Sequence, residues 1–281
     1  MQLAAGKNEF GSRVMIINNK NYDEKVYIMG ILNVTPDSFS DGGKYNNIDS
    51  ALYRAEQIVN EGGDIIDIGG ESTRPGYTKI SDEEEIERTA PIIAAISRCF
   101  DLPVSIDTYK SKVAEAALQA GAALVNDIWG FKYDKDIAKV TAKYGAACCL
   151  MHNRDNTDYK DLMADIKADI KESIDIALAA GVAKDKICID PGIGFAKTYE
   201  QNLLTLKYLE ELNDLGYPVL LGTSRKSVIG LTLDLPADQR LEGTIATSVM
   251  GVMKGCRFLR VHDVAENKRA VVMTETILNC K

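Results

Sequence analysis

Eight short apolar segments alternate with stretches of helical periodicity along almost the whole chain, and this alternation limits the possible folds more than any other feature. The apolar segments are residues 25–33, 64–69, 103–107, 122–126, 146–151, 187–190, 218–222 and 257–261. Each segment ends in, or is soon followed by, a polar residue, in chain order Asn33, Arg74, Asp107, Asn126, His152, Asp190, Lys226 and His262. Eight strand–helix units predict a closed parallel (β/α)8 TIM barrel, whose active sites form at the carboxyl ends of the strands.

The helical segments carry recognisable start and stop signals. Asp49 is a candidate cap for the first helix, and Gly62 a candidate terminator. Ser81 and Glu84 have the spacing of a capping box, and we expect another helix to begin near Ser224. The remaining predicted helices cover residues 112–120, 159–180, 199–212, 240–253 and the segment from the eighth strand to about residue 278.

The alternation is also compatible with an open, doubly wound sheet. Such a sheet would concentrate its chemistry at one switch point, whereas the polar residues here follow every strand, so the barrel is favoured. Residues 1–24 precede the first strand and contain the apolar run Val14-Met15-Ile16-Ile17. We expect this extension to form a strand or hairpin at the bottom of a single domain that spans residues 25–281.

Composition restricts the possible partners. The net charge of −8 argues against general nucleic-acid binding, which needs a basic surface. No apolar stretch is long enough to span a membrane, and the first residues lack the apolar core of a signal peptide, so a cytoplasmic protein is expected. The six cysteines show no CxxC spacing, four of them (Cys148, Cys149, Cys188 and Cys256) lie in predicted strands, and small buried thiols in a reducing compartment are expected.

An ordered set of motifs resembles the dihydropteroate synthase family, and the resemblance covers almost the whole chain. The first motif, Met29-Gly-Ile-Leu-Asn-Val-Thr-Pro-Asp-Ser-Phe-Ser-Asp41, is also the longest. The others follow in order along the chain: Asp67-Ile-Gly-Gly-Glu-Ser-Thr-Arg-Pro-Gly76, Ser105-Ile-Asp-Thr108, Val125-Asn-Asp-Ile128, Asp190-Pro-Gly-Ile-Gly-Phe195, Gly222-Thr-Ser-Arg-Lys-Ser227 and Arg260-Val-His-Asp-Val264.

The resemblance implies condensation of hydroxymethyl-dihydropterin pyrophosphate with para-aminobenzoate, giving dihydropteroate and pyrophosphate. A carboxylate can accept two parallel hydrogen bonds from the ring N–H and amino group of a pterin, and Asp190 is the expected acceptor. Asn126, Asp107 and Lys226 supply further acceptors and donors in this interpretation. Met151 is expected to form an apolar floor beneath the ring.

The leaving pyrophosphate needs positive charge where its own charge develops. Arg260 and His262 alternate with one intervening residue, which points both side chains to the same face of a strand, and they are the candidates for this role. Asn33 resembles the family's contact for Mg²⁺, the expected cofactor. Zinc is the alternative reading of His262, but no four ligands cluster in the sequence.

Two long polar loops carry the remaining candidates. By resemblance, Phe39 shields the reacting centre and Asp41 stabilises positive charge on the pterin methylene. Thr73 and Arg74 are expected to meet aminobenzoate or pyrophosphate as mobile loops close.

We expect the carboxylate of aminobenzoate to bind at a helix amino-terminus that begins at Ser224. Phe195 is expected to pack against one face of the aminobenzoate ring. No cysteine lies at a strand end beside a candidate base, so departure of pyrophosphate followed by attack of the amine is favoured over a covalent enzyme intermediate. The resemblance also implies a homodimer and sensitivity to sulfonamides. The chain departs from the family pattern at Asn153, Asp155 and Ala196, which lie beside the expected site.

Two alternative functions remain open at this point: a pterin-binding methyltransferase, and a non-catalytic pterin-binding paralogue. The first has no need of residues that grip pyrophosphate, and the second would be expected to have lost Arg74, Lys226 or Arg260, all of which are present.

Overall fold

The computed structural model describes residues 14–34, 44–71 and 79–280. The strands in these ranges are Ile16–Ile17 (β1), Lys20–Asn21 (β2), Tyr27–Asn33 (β3), Ile65–Gly69 (β4), Val104–Asp107 (β5), Leu124–Asp127 (β6), Ala147–Met151 (β7), Ile187–Asp190 (β8), Leu220–Leu221 (β9) and Phe258–Val261 (β10). The helices are Lys44–Asn60 (α1), Asp82–Cys99 (α2), Ser111–Gln119 (α3), Ile137–Lys143 (α4), Leu162–Ala179 (α5), Tyr199–Lys207 (α6), Ser227–Leu233 (α7), Leu241–Met253 (α8) and Val264–Leu278 (α9).

Strands β3 to β10 form one parallel sheet that closes on itself. The hydrogen-bonded order is β8-β7-β6-β5-β4-β3-β10-β9, and every pairing is parallel. A parallel bridge between Ile189 and Val219 joins the first and last strands of this order, and the Ile189 N–H donates to the Pro218 carbonyl at 3.0 Å. The predicted (β/α)8 barrel is therefore confirmed, and the open sheet is excluded.

The barrel has apolar residues on both faces of its strands, as parallel sheets require when helices cover the outside. On the outer face, residues such as Ile28, Ile66 and Ile106 pack in one continuous core with the helices. On the inner face, Met29 and Phe258 belong to a second buried cluster inside the barrel.

The hairpin of β1 and β2 packs against the amino-terminal end of the barrel. Met15, Ile17 and Tyr22 belong to the same buried cluster as the inward residues of the strands. The Tyr22 ring lies 4.7 Å from that of Tyr27, which in turn stacks on Phe258 at 5.7 Å. The apolar run near residue 15 led us to expect a hairpin at this end of the barrel, and the structure confirms it.

Local start and stop signals explain most helix boundaries. Ser81 Oγ accepts from the Glu84 N–H at 3.1 Å and caps α2, which is one half of the predicted capping box. Gly62 follows α1 with a φ of +89°, a left-handed conformation that glycine adopts without strain. Thr198 and Gln201 form a reciprocal capping box at the start of α6.

Several predicted boundaries are wrong. Asp49 lies inside α1, so it is not the cap of that helix. The helix expected near Ser224 begins at Ser227, and the helix expected over residues 199–212 ends at Lys207 and is followed by a 3₁₀ helix. Helix α4 was not anticipated, because its seven residues are too few for a clear periodic signal.

All six cysteines are thiols. Cys148, Cys149, Cys188 and Cys256 are buried, as expected from their apolar surroundings, whereas Cys99 and Cys280 are exposed. Within the described part of the chain, no helix combines the length and the apolar character needed to cross a membrane.

Candidate active site

The strand register places several predicted residues side by side on the carboxyl-terminal rim of the barrel. Asn33 of β3 pairs with Gly69 of β4, Gly69 pairs with Asp107 of β5, and Asp107 pairs with Asn126 of β6. On the neighbouring strands, Met151 pairs with Asp190. Residues separated by more than 150 positions in the chain therefore share one end of the barrel.

Arg260 projects from β10 toward two carboxylates of other strands. Its Nε donates to Asp67 Oδ2 and its Nη2 to Asp107 Oδ2, both at 2.6 Å. Asp67 Oδ2 also accepts a longer contact of 3.4 Å from Asn126 Nδ2. The guanidinium thus joins Asp107 to Asp67, and Asn126 contacts Asp67 directly. Asp67 was not among the predicted site residues, although a carboxylate within an apolar strand is itself a signal.

The carboxylates around Arg260 retain unused acceptor capacity. Asp67 Oδ1 and Asp107 Oδ1 are buried and have no hydrogen-bond partner among the described residues. Burial raises the pKa of Asp107 to about 7, although the nearby Arg260 guanidinium opposes this shift. Buried acceptors without donors are costly, so this arrangement suits a ligand that supplies N–H groups.

Asp190 and Lys226 form the opposite side of the mouth. Asp190 Oδ1 accepts from the Gly192 N–H at 2.6 Å, and burial raises the pKa of this carboxyl group, with Lys226 counteracting. Burial lowers the pKa of Lys226 to about 8, which Asp190 opposes. The Lys226 ammonium donates to the Ile193 carbonyl at 2.6 Å and lies 4.9 Å above the Phe195 ring.

Gly222 lies between these two groups of charged residues. A Cβ atom at this position would be 3.8 Å from both Asp190 Oδ2 and Arg260 Cβ. Similarly, a Cβ at Gly69 would be 3.6 Å from Asn33 Oδ1 and 3.8 Å from Asp107 Oδ2. Because glycine has no side chain, space remains between the polar groups at both positions, and a ligand can occupy it.

An apolar surface lies beside the polar groups. Met151, Tyr109 and Ile128 form a small buried cluster against which Trp129 and Phe195 pack. Met151 and Phe195 were predicted as ligand contacts. Tyr109 and Ile128 were not, although each follows a strand-end polar residue by two positions.

His262 and Ser224 contact each other. Ser224 Oγ lies 3.0 Å from His262 Nδ1 and accepts from the His262 N–H at 3.1 Å. Because helix α7 begins three residues after Ser224, the helix start predicted at Ser224 is wrong. The assignment of Ser224 to the aminobenzoate carboxylate stays a prediction. His262 also lines a surface pocket of about 320 Å³ with Arg54 and Arg225.

Four candidates, Phe39, Asp41, Thr73 and Arg74, lie outside the described residues. Their assigned roles remain predictions.

The described residues offer little for a metal ion on their own. They contain no group of three or more His, Cys, Asp or Glu side chains suited to hold one. Asn33 is exposed at the rim, with its Oδ1 and Asp107 Oδ2 on either side of Gly69. The Asn33 side-chain oxygen fits a Mg²⁺ ion whose other ligands are water and phosphate oxygens, because Mg²⁺ commonly takes few ligands from protein.

Taken together, the barrel, the buried acceptors without partners in the ranges that the structure describes and the apolar surface beside them are the arrangement of an α/β-barrel enzyme whose site lies at the carboxyl ends of the strands. The sequence profile described as "Pterin binding enzyme" matches residues 29–262. The chain belongs to this pterin-binding enzyme family.

Similar proteins in the family are named dihydropteroate synthase. The one from Clostridium beijerinckii is 64% identical over 92% of this chain and 96% of its own length. A structure of the Clostridium difficile enzyme in the presence of pteroic acid is 54% identical, with a TM-score of 0.89 over 92% of this chain and 98% of that one. A structure of the Xanthomonas albilineans enzyme with 4-aminobenzoic acid is 37% identical, with a TM-score of 0.90 over 96% of this chain and 100% of that one.

Proposed function

We propose that this chain catalyses the dihydropteroate synthase reaction. It condenses hydroxymethyl-dihydropterin pyrophosphate with para-aminobenzoate and yields dihydropteroate and pyrophosphate. The observation that carries this proposal is the convergence of Asp190, Asn126 and Arg260 at one barrel mouth, where Asp67 contacts both Asn126 and Arg260 and Gly222 separates Arg260 from Asp190. The names and ligands of the similar proteins agree with it.

The pterin is held by the carboxylates and the amide of the rim. The Asp190 carboxylate accepts from the pterin ring N–H and amino group, one to each oxygen, while Oδ1 also stays bound to the Gly192 N–H through its second lone pair. Asp107 Oδ1 accepts a further donor, and Asn126 offers both a donor and an acceptor. Met151 and Ile128 provide the apolar surface beneath the ring.

In the reaction, the bond between the methylene carbon and the diphosphate oxygen breaks, and the electron pair leaves with the diphosphate. The amine of aminobenzoate then forms the C–N bond and loses a proton to solvent. Arg260 uses two of its five N–H groups on Asp67 and Asp107, so others remain for the departing diphosphate. Positioning and electrostatic stabilisation account for catalysis without an enzyme nucleophile.

Mg²⁺ is proposed as the cofactor, with Asn33 as its contact on this chain. The bound ion would neutralise part of the diphosphate charge. Asn33→Ala should raise the Mg²⁺ concentration needed for half-maximal activity, and chelation should remove activity in a way that added Mg²⁺ restores. Activity that is insensitive to chelation would contradict the cofactor proposal.

A homodimer through the carboxyl-terminal helices is also proposed. Met253 of α8 and Met273 and Ile277 of α9 are each about 60% exposed, and exposed apolar patches of this kind mark contact surfaces. Met273→Glu should convert the dimer into a monomer in light-scattering measurements.

A cytoplasmic location is also proposed. It is supported by the thiol form of all six cysteines, which is the form that a reducing compartment maintains.

The proposed function is tested with purified protein, Mg²⁺, pterin pyrophosphate and para-aminobenzoate. Dihydropteroate should form with one equivalent of pyrophosphate, and sulfonamides should compete with aminobenzoate. Omission of either substrate serves as the control. Well-folded protein that binds the pterin but gives no product would favour the non-catalytic paralogue.

A further inference from the structure

The loop after β8, residues 191–197, is held by side chains from several elements. The carbonyls of Gly192 and Phe195 each accept from Lys197 Nζ at 3.1 Å. The Ala196 carbonyl accepts from the Tyr159 hydroxyl at 2.7 Å. This loop carries Phe195 and starts next to Asp190, so its shape determines where two of the ligand-facing residues lie.

Lys197 has a third acceptor. Its Nζ lies 2.8 Å from Nδ1 of His152, whose side chain is fully buried. Three acceptors around one Nζ match the three N–H bonds of an ammonium group, whereas a neutral amine has two. His152 Nδ1 therefore accepts, and its Nε2 carries the hydrogen that is donated to Asp169 Oδ2 at 3.0 Å.

The loops after β7 and β8 are in tight contact at this point. Gly192 has a φ of +67°, and a Cβ there would come within 2.0 Å of the His152 carbonyl oxygen, so no other residue fits. Asp169 of α5 also accepts from Arg154 Nε at 2.5 Å. A continuous chain of hydrogen bonds thus runs from α5 through the buried imidazole to the loop that carries Phe195.

We propose that Lys197 is a positioning residue for the reaction, and that Asp169 and His152 form the relay that orients it. The ammonium acts through the loop, which it fixes so that Asp190 and Phe195 face the pterin and aminobenzoate together. This inference rests on the proposed function. It assigns a role to His152, which the sequence reading left without one among the strand-end residues.

The charges around Lys197 make its effect dependent on pH. Burial lowers the pKa of Lys197 to about 7, with Lys226 and Arg154 acting in the same direction and Asp190 and Asp169 opposing them. Burial also lowers the pKa of His152 to about 4; Lys132 faces this imidazole and Asp169 as a further cation. His152 is therefore neutral at physiological pH. Lys197 loses its third N–H as pH rises above 7.

The test compares Lys197→Met with the full-length wild-type protein by steady-state kinetics at pH 6 and pH 9. At pH 6 the variant should show kcat/KM lowered by about 10- to 100-fold, with most of the loss in KM, because hydrogen bonds of a charged donor are removed. At pH 9 the loss should be smaller than at pH 6, because the wild-type amine is then neutral and holds the loop with two N–H groups instead of three. Lys226 and Asp107 titrate in both proteins, so the quantity compared is the ratio of the variant to the wild type at each pH. Lys139→Met, an exposed lysine of α4 paired with Asp136, is the matched control.

A ratio below about threefold at pH 6, or a loss of equal size at both pH values, would overturn the proposal. The relay is tested by Asp169→Asn alone and in combination with Lys197→Met. A double variant no worse than the worse single variant supports one connected chain, whereas additive losses overturn the relay. An inactive wild-type protein would contradict the proposed function instead, so the two failures are distinguishable.

Discussion

Replacement of Asp190 by Asn tests the pterin site with minimal change in shape. The amide oxygen of Asn can keep the 2.6 Å contact with the Gly192 N–H, so the new NH₂ group takes the place of the ligand-facing oxygen. A charge-assisted hydrogen bond is lost, worth about 1.5 to 3 kcal/mol, and a ligand N–H then faces a donor, which costs about 1 to 3 kcal/mol more. Taking about 3 to 4 kcal/mol in total, and tenfold for every 1.4 kcal/mol, kcat/KM for the pterin substrate should fall about 100- to 1000-fold.

The assay measures kcat/KM for each substrate by steady-state kinetics and the pterin Kd by titration calorimetry. The loss should appear in pterin binding, and the unfolding midpoint should stay near that of the wild type, because burial already disfavours the charged form of Asp190. Asp64→Asn is the matched control: Asp64 pairs with Lys25 and Lys268 just before β4, at the other end of the barrel. Pterin affinity within threefold of the wild type for Asp190→Asn would refute the assignment.

Three further substitutions probe the remaining sides of the mouth and the barrel core. Lys226→Ala should abolish detectable turnover while circular dichroism shows an intact fold; unaltered kinetics would remove Lys226 from the site. Gly222→Ala should raise KM for the pterin by at least about tenfold without lowering the melting temperature, because the added methyl group meets ordinary contacts at 3.8 Å but fills ligand space. An unchanged KM would mean that no ligand passes there. Phe258→Ala should lower the free energy of unfolding by about 3 to 5 kcal/mol in urea titrations, because this fully buried ring supports the amino-terminal hairpin; a loss below about 1 kcal/mol would contradict that packing.

The barrel could be predicted from the sequence because its two determinants are local. Apolar runs such as residues 187–190 define strands, and the polar residue at each strand end marks the rim. Strand β9 is shorter in the structure than predicted, since the chain pairs through a single bridge at Val219 before Leu220–Leu221. Asp107, Asn126 and Asp190 were predicted to share the rim because each lies at or near the carboxyl end of its strand.

The partners of those residues could not be predicted in the same way. Arg260 contacts Asp67 and Asp107, which lie 193 and 153 positions away in the chain. No local pattern specifies such pairs, and the sequence gives equal reason to assign Arg260 to a phosphate. The start of α7 was misplaced for a related reason. Serine is a common helix-capping residue, but the Ser224 hydroxyl hydrogen-bonds to His262 instead.

The most direct test of the account is a crystal structure of the protein with bound pterin pyrophosphate. We expect the pterin ring to lie against Met151 with its N–H edge on the Asp190 carboxylate, and the diphosphate to lie beside Arg260. A pterin bound away from the barrel mouth, or one whose N–H edge contacts neither Asp190 nor Asp107, would contradict it.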